Sequence, residues 1–122
     1  MIIKIPFKTP SVNHLYFNFR NIRVLTKEAR ILKKEIAEIV EDMHAPTELP
    51  KNKPLKVVVS IHEDWFCKNG SIKRADIANR EKFLIDSIFD ALGIDDKNIF
   101  INTFIKVQDE SSEFAEIEIS LL

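Results

Sequence analysis

The chain has 122 residues, of which 45% are hydrophobic and 30% charged, and its formal net charge is −1. This length and composition are typical of one globular domain and argue against a disordered chain. No apolar run approaches the roughly 20 residues that span a bilayer. Cys67 is the only cysteine, which excludes an internal disulfide. We therefore predict a single domain over residues 1–122, cytoplasmic and without a membrane partner.

The charges are distributed unevenly along the chain. Residues 1–34 hold eight basic side chains and one acid, whereas five acids and no base follow Lys106. Such asymmetry can give a near-neutral protein a basic face for phosphates. The alternative is that these charges interleave in the folded chain and cancel, so the charge pattern alone does not decide whether the protein binds nucleic acid.

The first third of the chain is predicted to form short strands followed by a helix. Alternation in MIIKIPF favours a strand, and HLYFNF and IRVLT are the arms of a possible hairpin. Thr26 is a good N-cap for the helix that follows. One apolar face of that helix repeats at three- and four-residue steps: Ala29, Leu32, Ile36, Ile39, Val40 and Met43.

The middle of the chain is predicted to form a strand and a basic turn. The segment HAPTELPKNKP contains three prolines and ends the first helix, and the β-branched run LKVVVSIHEDWF predicts a strand. CKNGSIKR is a basic turn around Gly70. We expect Cys67 to be half-buried beside Trp65 and Phe66, and these two aromatic side chains to pack under the second helix.

The second helix is predicted to start at or just after Asp76 and to stop near Gly93, which suits a left-handed C-terminal cap. NIFINTFIKVQ and FAEIEISLL then indicate two final strands, joined by a polar turn at DESSE. This order predicts an α+β fold, with a mixed or antiparallel sheet carrying two main helices. The apolar side of the second helix consists of Ile77, Leu84, Ile85, Ile88, Phe89 and Leu92.

Polar residues of the second helix have both ordinary and functional interpretations. Asp76 can simply cap the helix, and Asp95-Asp96 is a common pair in loops. Spacings of three and four residues place further polar side chains on one stripe, which a solvated face explains equally well. The members of the stripe are Asn79, Lys82, Asp86 and Asp90.

Aspartates are also the ligands that Mg²⁺ uses in phosphodiester hydrolysis, together with waters and phosphate oxygens. Asp76 and Asp96 cannot meet along one straight helix, because 16–20 helical residues span roughly 25–30 Å. They meet only if the chain turns early or if one of them belongs to a second subunit. A dimer is the more natural solution.

Four segments carry a resemblance to a known family. PSVNHLYF and RVLTKEA occur in the first third, RADIANREK in the middle, and GIDDKNIF after the second helix. Along nearly all its length the chain resembles the RusA family of Holliday-junction resolvases, whose central pattern is Arg-x-Asp-x-Asp-Asn-x-x-Lys. The resemblance implies a small α+β homodimer that binds four-way DNA junctions. Such dimers cut two opposing strands with Mg²⁺, or with Mn²⁺.

The resemblance also implies roles for particular residues. The family's essential acids fall on Asp76, on position 78 and on Asp96, of which Asp76 and Asp96 are the expected metal ligands here. Lys82 matches the family's functional lysine, and Asp95 matches the acid before the last one. We therefore expect Asp76, Asp96, Lys82 and Asp95 to be the catalytic set. The expected DNA-binding residues are Asn13, Lys27, Lys73, Arg74 and Asn79.

Ala78 departs from the family pattern, because a methyl group binds neither metal nor water. The alanine is an engineered inactivating change, or a natural one for which Asp95, Glu81 or Asp64 partly compensates, or the mark of a junction binder that no longer cuts. Two functions therefore stay open: a Mg²⁺-dependent junction endonuclease impaired at position 78, and a non-catalytic junction-binding protein on the same fold.

Overall fold

The computed structural model describes residues 1–10, 15–43, 49–74 and 77–122, with Ile77, Ala78 and Asn79 described by their backbone alone. The order of strands and helices within these ranges agrees with the sequence prediction, and the α+β class is confirmed. The elements are β1 (Ile2–Ile5), β2 (Tyr16–Phe19), β3 (Ile22–Leu25), α1 (Lys27–Asp42), β4 (Leu55–Glu63), α2 (Ile77–Leu92), β5 (Ile99–Gln108) and β6 (Phe114–Leu121).

The main sheet has four strands in the order β1-β6-β4-β5. β6 pairs antiparallel with both β1 and β4, whereas β4 and β5 are parallel, so the sheet is mixed. Strand β4 alternates buried and less buried residues along its length, because one face of the sheet carries the helices. The side chains that β4 contributes to the core are Leu55, Val57, Val59 and Ile61.

Both helices bury an apolar stripe against this face. Thr26 caps α1 as predicted, since its Oγ1 accepts a hydrogen bond from the Ala29 amide at 3.2 Å. Met43, expected on the buried stripe, is instead 39% exposed, because it lies at the C-cap of α1. The buried side of α2 agrees with the prediction where it is described and also includes Phe83; its members are Phe83, Leu84, Ile85, Ile88, Phe89 and Leu92.

The predicted hairpin forms a separate two-stranded sheet of β2 and β3. Arg20 and Asn21 at its turn have positive φ angles of 51° and 64°, as a two-residue hairpin turn requires. Phe17 and Phe19 are exposed, and the Arg23 guanidinium lies 4.3 Å from the ring centroid of Tyr16. The hairpin thus presents aromatic and cationic side chains outside the main core.

A buried ion pair ties the first turn of α2 to the end of β4. Arg80 Nη1 donates to Glu63 Oε1, and the two side chains are 9% and 5% exposed. The Arg80 guanidinium lies 5.4 Å from the Trp65 ring, whose Nε1 donates to the carbonyls of Ile61 and Val107. The start of α2 is therefore fixed at the carboxyl ends of β4 and β5.

The expected burial of Cys67 and Phe66 is wrong. Cys67 is exposed and Phe66 is 42% exposed, whereas Trp65 is buried as predicted. The reason is a small hydrogen-bonded loop in which the Cys67 amide donates to the Ser71 carbonyl at 2.7 Å and Gly70 adopts a φ of +85°. This loop carries its side chains away from the core.

Arg80→Met should strongly destabilise the protein. The variant leaves the Glu63 carboxylate buried, with Lys8 Nζ, 3.6 Å away, as its remaining ion-pair partner among the described residues. Removing one member of a buried ion pair costs about 3–5 kcal/mol, and we expect a loss of roughly 3 kcal/mol in urea denaturation. The double variant Glu63→Met/Arg80→Met should recover most of this loss. A double variant as unstable as Arg80→Met would contradict the pairing argument.

Candidate active site

Two of the residues predicted from the sequence, Asn13 and Asp76, lie outside the described residues. Helix α2 begins at Ile77, which agrees with the prediction that it starts at or just after Asp76. Ala78 and Asn79 belong to its first turn by their backbone. The roles assigned to these four positions therefore stay predictions.

The acidic pair after α2 is held by a well-defined helix end. Gly93 has a φ of +70°, and the Ile94 amide donates to the Phe89 carbonyl, as in a left-handed helix cap. A single 3₁₀ turn, Asp96–Asn98, follows, and Asp95 caps it by accepting a hydrogen bond from the Lys97 amide at 2.9 Å. Asp95 therefore has a structural role, as the cap of this turn, that the sequence alone does not reveal. The side chain of Asp96 is exposed.

Asp96 lies next to carboxylates in the second half of α2. An open pocket of about 320 Å³ is lined by Asp86, Phe89, Asp90, Ile94, Asp95 and Asp96. Burial raises the pKa of Asp86, Lys82 offsets part of this rise, and the charges of Asp96 and Asp90 add to it. The structure therefore brings Asp95 and Asp96 together with Asp86, which is nine residues, or about 14 Å, from the start of α2.

The donors fit a hard divalent cation in type but not in arrangement. Carboxylates are the side chains that Mg²⁺ prefers. However, no group of three His, Cys, Asp or Glu residues among the described parts of the chain is arranged to hold a metal ion.

The polar stripe of α2 is only partly a solvated face. Lys33 Nζ on α1 lies 2.6 Å from Asp90 Oδ2, so the two helices are joined across it. Burial raises the pKa of Tyr16, the Asp86 carboxylate adds to this rise, and Arg23 and Lys33 lower it. Since Tyr16 belongs to β2, the hairpin and α1 both lie beside the stripe.

Glu81 and Asp64, the acids named as substitutes for a carboxylate at position 78, have different environments. Glu81 is 8% exposed and accepts a hydrogen bond from Asn102 Nδ2 at 2.7 Å, and burial raises its pKa. Asp64 accepts from Gln108 Nε2 and from the Phe66 amide, and these hydrogen bonds lower its pKa. Glu81 is three residues after position 78, so it is one helical turn away.

The residues predicted to contact phosphates are exposed to solvent where the structure describes them. Lys27 is exposed at the first position of α1, and Lys73 and Arg74 are exposed just before α2. Of the basic residues in the first third, Lys8 and Lys33 pair with the acids Glu63 and Asp90. The charges thus interleave in part, whereas Lys27, Lys73 and Arg74 are exposed.

Sequence patterns did not indicate the side chains that support the start of α2. In the sequence, Glu63 resembles any other polar residue of a strand, and Arg80 resembles any other charged residue of a helix. Both are nevertheless buried. Asn102 likewise reads as a surface residue of a strand, and its contact with Glu81 depends on the packing of α2 against β5. No local signal distinguishes these residues, because each partner lies more than 15 residues away.

Comparison with known proteins agrees with this fold. A family model described as endodeoxyribonuclease RusA matches residues 6–121. The match defines the class of the protein, which is that of the endodeoxyribonucleases. Because it covers nearly the whole chain, the chain belongs to the RusA family, and the resemblance seen in the sequence is confirmed. A search of the curated proteins found no match. Within the described ranges, no helix is long and apolar enough to cross a membrane.

Glu81→Gln should make the protein more stable at neutral pH. Because the pKa of Glu81 is raised above its ordinary value of 4.5, its ionised form is penalised in the fold, and wild-type stability rises as pH falls towards that value. Glutamine keeps an acceptor for Asn102 without the charge. We expect the advantage of the variant in urea denaturation to shrink from pH 7 to about pH 4.5.

Glu38→Gln, on the exposed part of α1, is the matched control for loss of a carboxylate. An unchanged difference between Glu81→Gln and the wild type across this pH range would contradict the assigned environment of Glu81.

Proposed function

We propose that this chain is a single-domain, metal-dependent endonuclease that resolves four-way DNA (Holliday) junctions in recombination and repair. The observation that carries the proposal is the RusA family match over residues 6–121, together with an acidic turn held just past a long helix. Because the proposed substrate is the DNA of the cell, we also propose a cytoplasmic location.

We propose Asp76 and Asp96 as ligands of Mg²⁺, with Mn²⁺ as the alternative metal. A cation bound there would neutralise the scissile phosphate and lower the pKa of the attacking water. The neighbours of Asp96 lie in the second half of α2, whereas Asp76 immediately precedes the first residue of that helix. This separation supports a homodimer in which Asp76 of one subunit approaches Asp96 of the partner subunit.

Lys82 and Asp95 complete the proposed catalytic set. Lys82 is exposed on the same helix stripe as Asp86, so its ammonium group is free to contact a phosphate oxygen. Asp95 caps the turn that begins with Asp96, and we propose that it orients that carboxylate. The two residues thus have different proposed roles: Lys82 neutralises charge on the phosphate, and Asp95 positions the Asp96 carboxylate.

Five residues are proposed to contact the DNA. The positions of Lys73 and Arg74, exposed just before α2, support contacts with phosphates on either side of the cut. Lys27 is exposed at the start of α1, where it extends the basic region. The full proposed set is Asn13, Lys27, Lys73, Arg74 and Asn79.

The second candidate is a non-catalytic protein that binds four-way junctions on the same fold. Ala78 is the observation that favours it, because the family pattern has a carboxylate at that position. The two candidates differ in whether binding leads to cleavage, and both require recognition of the junction. They are therefore separated by scoring cutting and binding on the same DNA.

Ala78→Asp should raise metal-dependent cleavage of a four-way junction. The added carboxylate restores charge for Mg²⁺, and it also suits the first turn of a helix. The wild type and the variant would be compared by strand cutting with Mg²⁺ and by gel shift without metal, at about 0.15 M salt to weaken non-specific binding. Ala78→Asn is the control of similar size without charge, and it should not raise cleavage.

Cutting by the wild type equal to that of Ala78→Asp would mean that the remaining acids suffice. Binding without cutting by both proteins would favour the non-catalytic candidate. Failure of both to prefer the junction over duplex would contradict junction recognition altogether.

Asp96→Asn should abolish paired cleavage while leaving junction binding intact. The amide keeps the size of the side chain but removes the charge, and we expect cleavage by the wild type or by Ala78→Asp to fall by on the order of 100-fold or more. Asp42→Asn, an exposed aspartate at the end of α1, is the matched control. Full activity of Asp96→Asn, in a chain that otherwise cuts, would remove Asp96 from the metal site.

A further inference from the structure

The fold buries two glutamates, and they differ in what offsets their charge. Glu63 is 4% exposed and meets two cations, Arg80 and Lys8. Glu81 is 8% exposed, and the ion pairs of the described residues do not include it. The donor that it has there is the side-chain amide of Asn102, at 2.7 Å. Because a buried charge is normally paired with an opposite charge or bound to a metal, Glu81 is the exception that needs an explanation.

Keeping an acid at this position costs stability. Burial raises the pKa of Glu81, and the hydrogen bond from Asn102 offsets part of this rise. The Asp86 carboxylate adds to the rise, and Lys82 lowers the pKa again. Glutamine would fill the same space and keep the hydrogen bond from Asn102 without the charge. A carboxylate that destabilises its own fold is typical of a functional site, where the charge is needed for binding or chemistry.

Glu81 lies one turn from the position where the family pattern has an acid that this chain lacks. Residues 78 and 81 both belong to α2, and a spacing of three residues puts them on the same side of a helix. The buried pair of Arg80 and Glu63 fixes this part of the helix against the sheet. An acid at position 81 therefore brings charge to the same end of α2 as an acid at position 78.

The other acids named as possible substitutes are less suited to this place. Asp95 caps the turn beyond the far end of α2, which is about 24 Å from its start. Asp64 already accepts hydrogen bonds from Gln108 Nε2 and from the Phe66 amide, and these hydrogen bonds lower its pKa. Glu81 combines a place at the start of α2 with a buried charge that no cation among the described residues offsets.

We propose that Glu81 takes the place of the acid that the family pattern has at position 78, and that it is a ligand of the divalent cation, oriented by Asn102 of β5. The proposal rests on the metal-dependent function proposed above. Asn102 donates to Oε1, which leaves Oε2 as the oxygen for Mg²⁺ or Mn²⁺. A bound cation would offset the buried charge, so the carboxylate that weakens the free protein would stabilise the metal-bound one.

Cation binding without DNA tests the proposal directly. Isothermal titration with Mn²⁺ would compare the wild type with Glu81→Gln, and Ala78→Asp with the double variant Ala78→Asp/Glu81→Gln. We expect Glu81→Gln to weaken binding at least about 10-fold in the wild-type chain. In the Ala78→Asp background the same substitution should weaken binding less than about 3-fold, because two carboxylates one turn apart supply the same charge and their effects are not additive.

Two other acids provide the matched controls. Glu38→Gln removes an exposed carboxylate of α1, and Asp64→Asn removes a carboxylate that already has hydrogen-bond donors. Both variants should bind Mn²⁺ like the wild type. Unchanged affinity in Glu81→Gln, a loss that Ala78→Asp does not repair, or a wild type that binds no Mn²⁺ would overturn the proposal.

Urea denaturation of the same proteins separates a ligand from a purely structural residue. Without metal, Glu81→Gln should be more stable than the wild type at neutral pH, whereas an excess of Mn²⁺ should stabilise the wild type more than the variant. A Glu81→Gln protein that is less stable than the wild type without metal would make Glu81 a structural residue and overturn the proposal.

Strand cutting and gel shift on a four-way junction separate this inference from the proposed function. Binding of Mn²⁺ that depends on Glu81, in a protein that neither binds nor cuts the junction, would support the ligand and remove the function on DNA. Metal-dependent junction cleavage that Glu81→Gln leaves unchanged would support the function and overturn the ligand.

Discussion

The length of α2 is the constraint on which the arrangement of this protein depends. Sixteen helical residues separate the two ends by about 24 Å, and the acidic positions of the chain lie before one end and after the other. The chain does not turn early, because the helix continues to Leu92 and Gly93 then ends it. A site that needs both ends would take one of them from a second copy of the chain, as in the homodimer proposed above.

The buried pair of Glu63 and Arg80 fixes the first of these two ends against the sheet. Compared with apolar residues of the same size, a buried ion pair contributes little net stability, but removing one of its members is costly. Here it holds the first turn of α2 against the end of β4, and the Trp65 indole holds β4 and β5 together at the same place. The family pattern falls on the residues that precede this turn in sequence and on those within it, so the proposed metal chemistry would be sensitive to displacements of the turn.

Much of the fold could be predicted from the sequence because its signals are local. Thr26 as a cap, Gly93 as a helix end and the β-branched run of β4 each act within a few residues, and each was confirmed. The burial of Arg80 and the exposure of Phe66 depend on partners or loops whose positions follow from the tertiary fold. Local patterns therefore gave no indication for Arg80 and a wrong one for Phe66. The candidate site, too, could be predicted only in part from the sequence. The acids were visible in sequence, but the association of Asp96 with Asp86 required the folded chain.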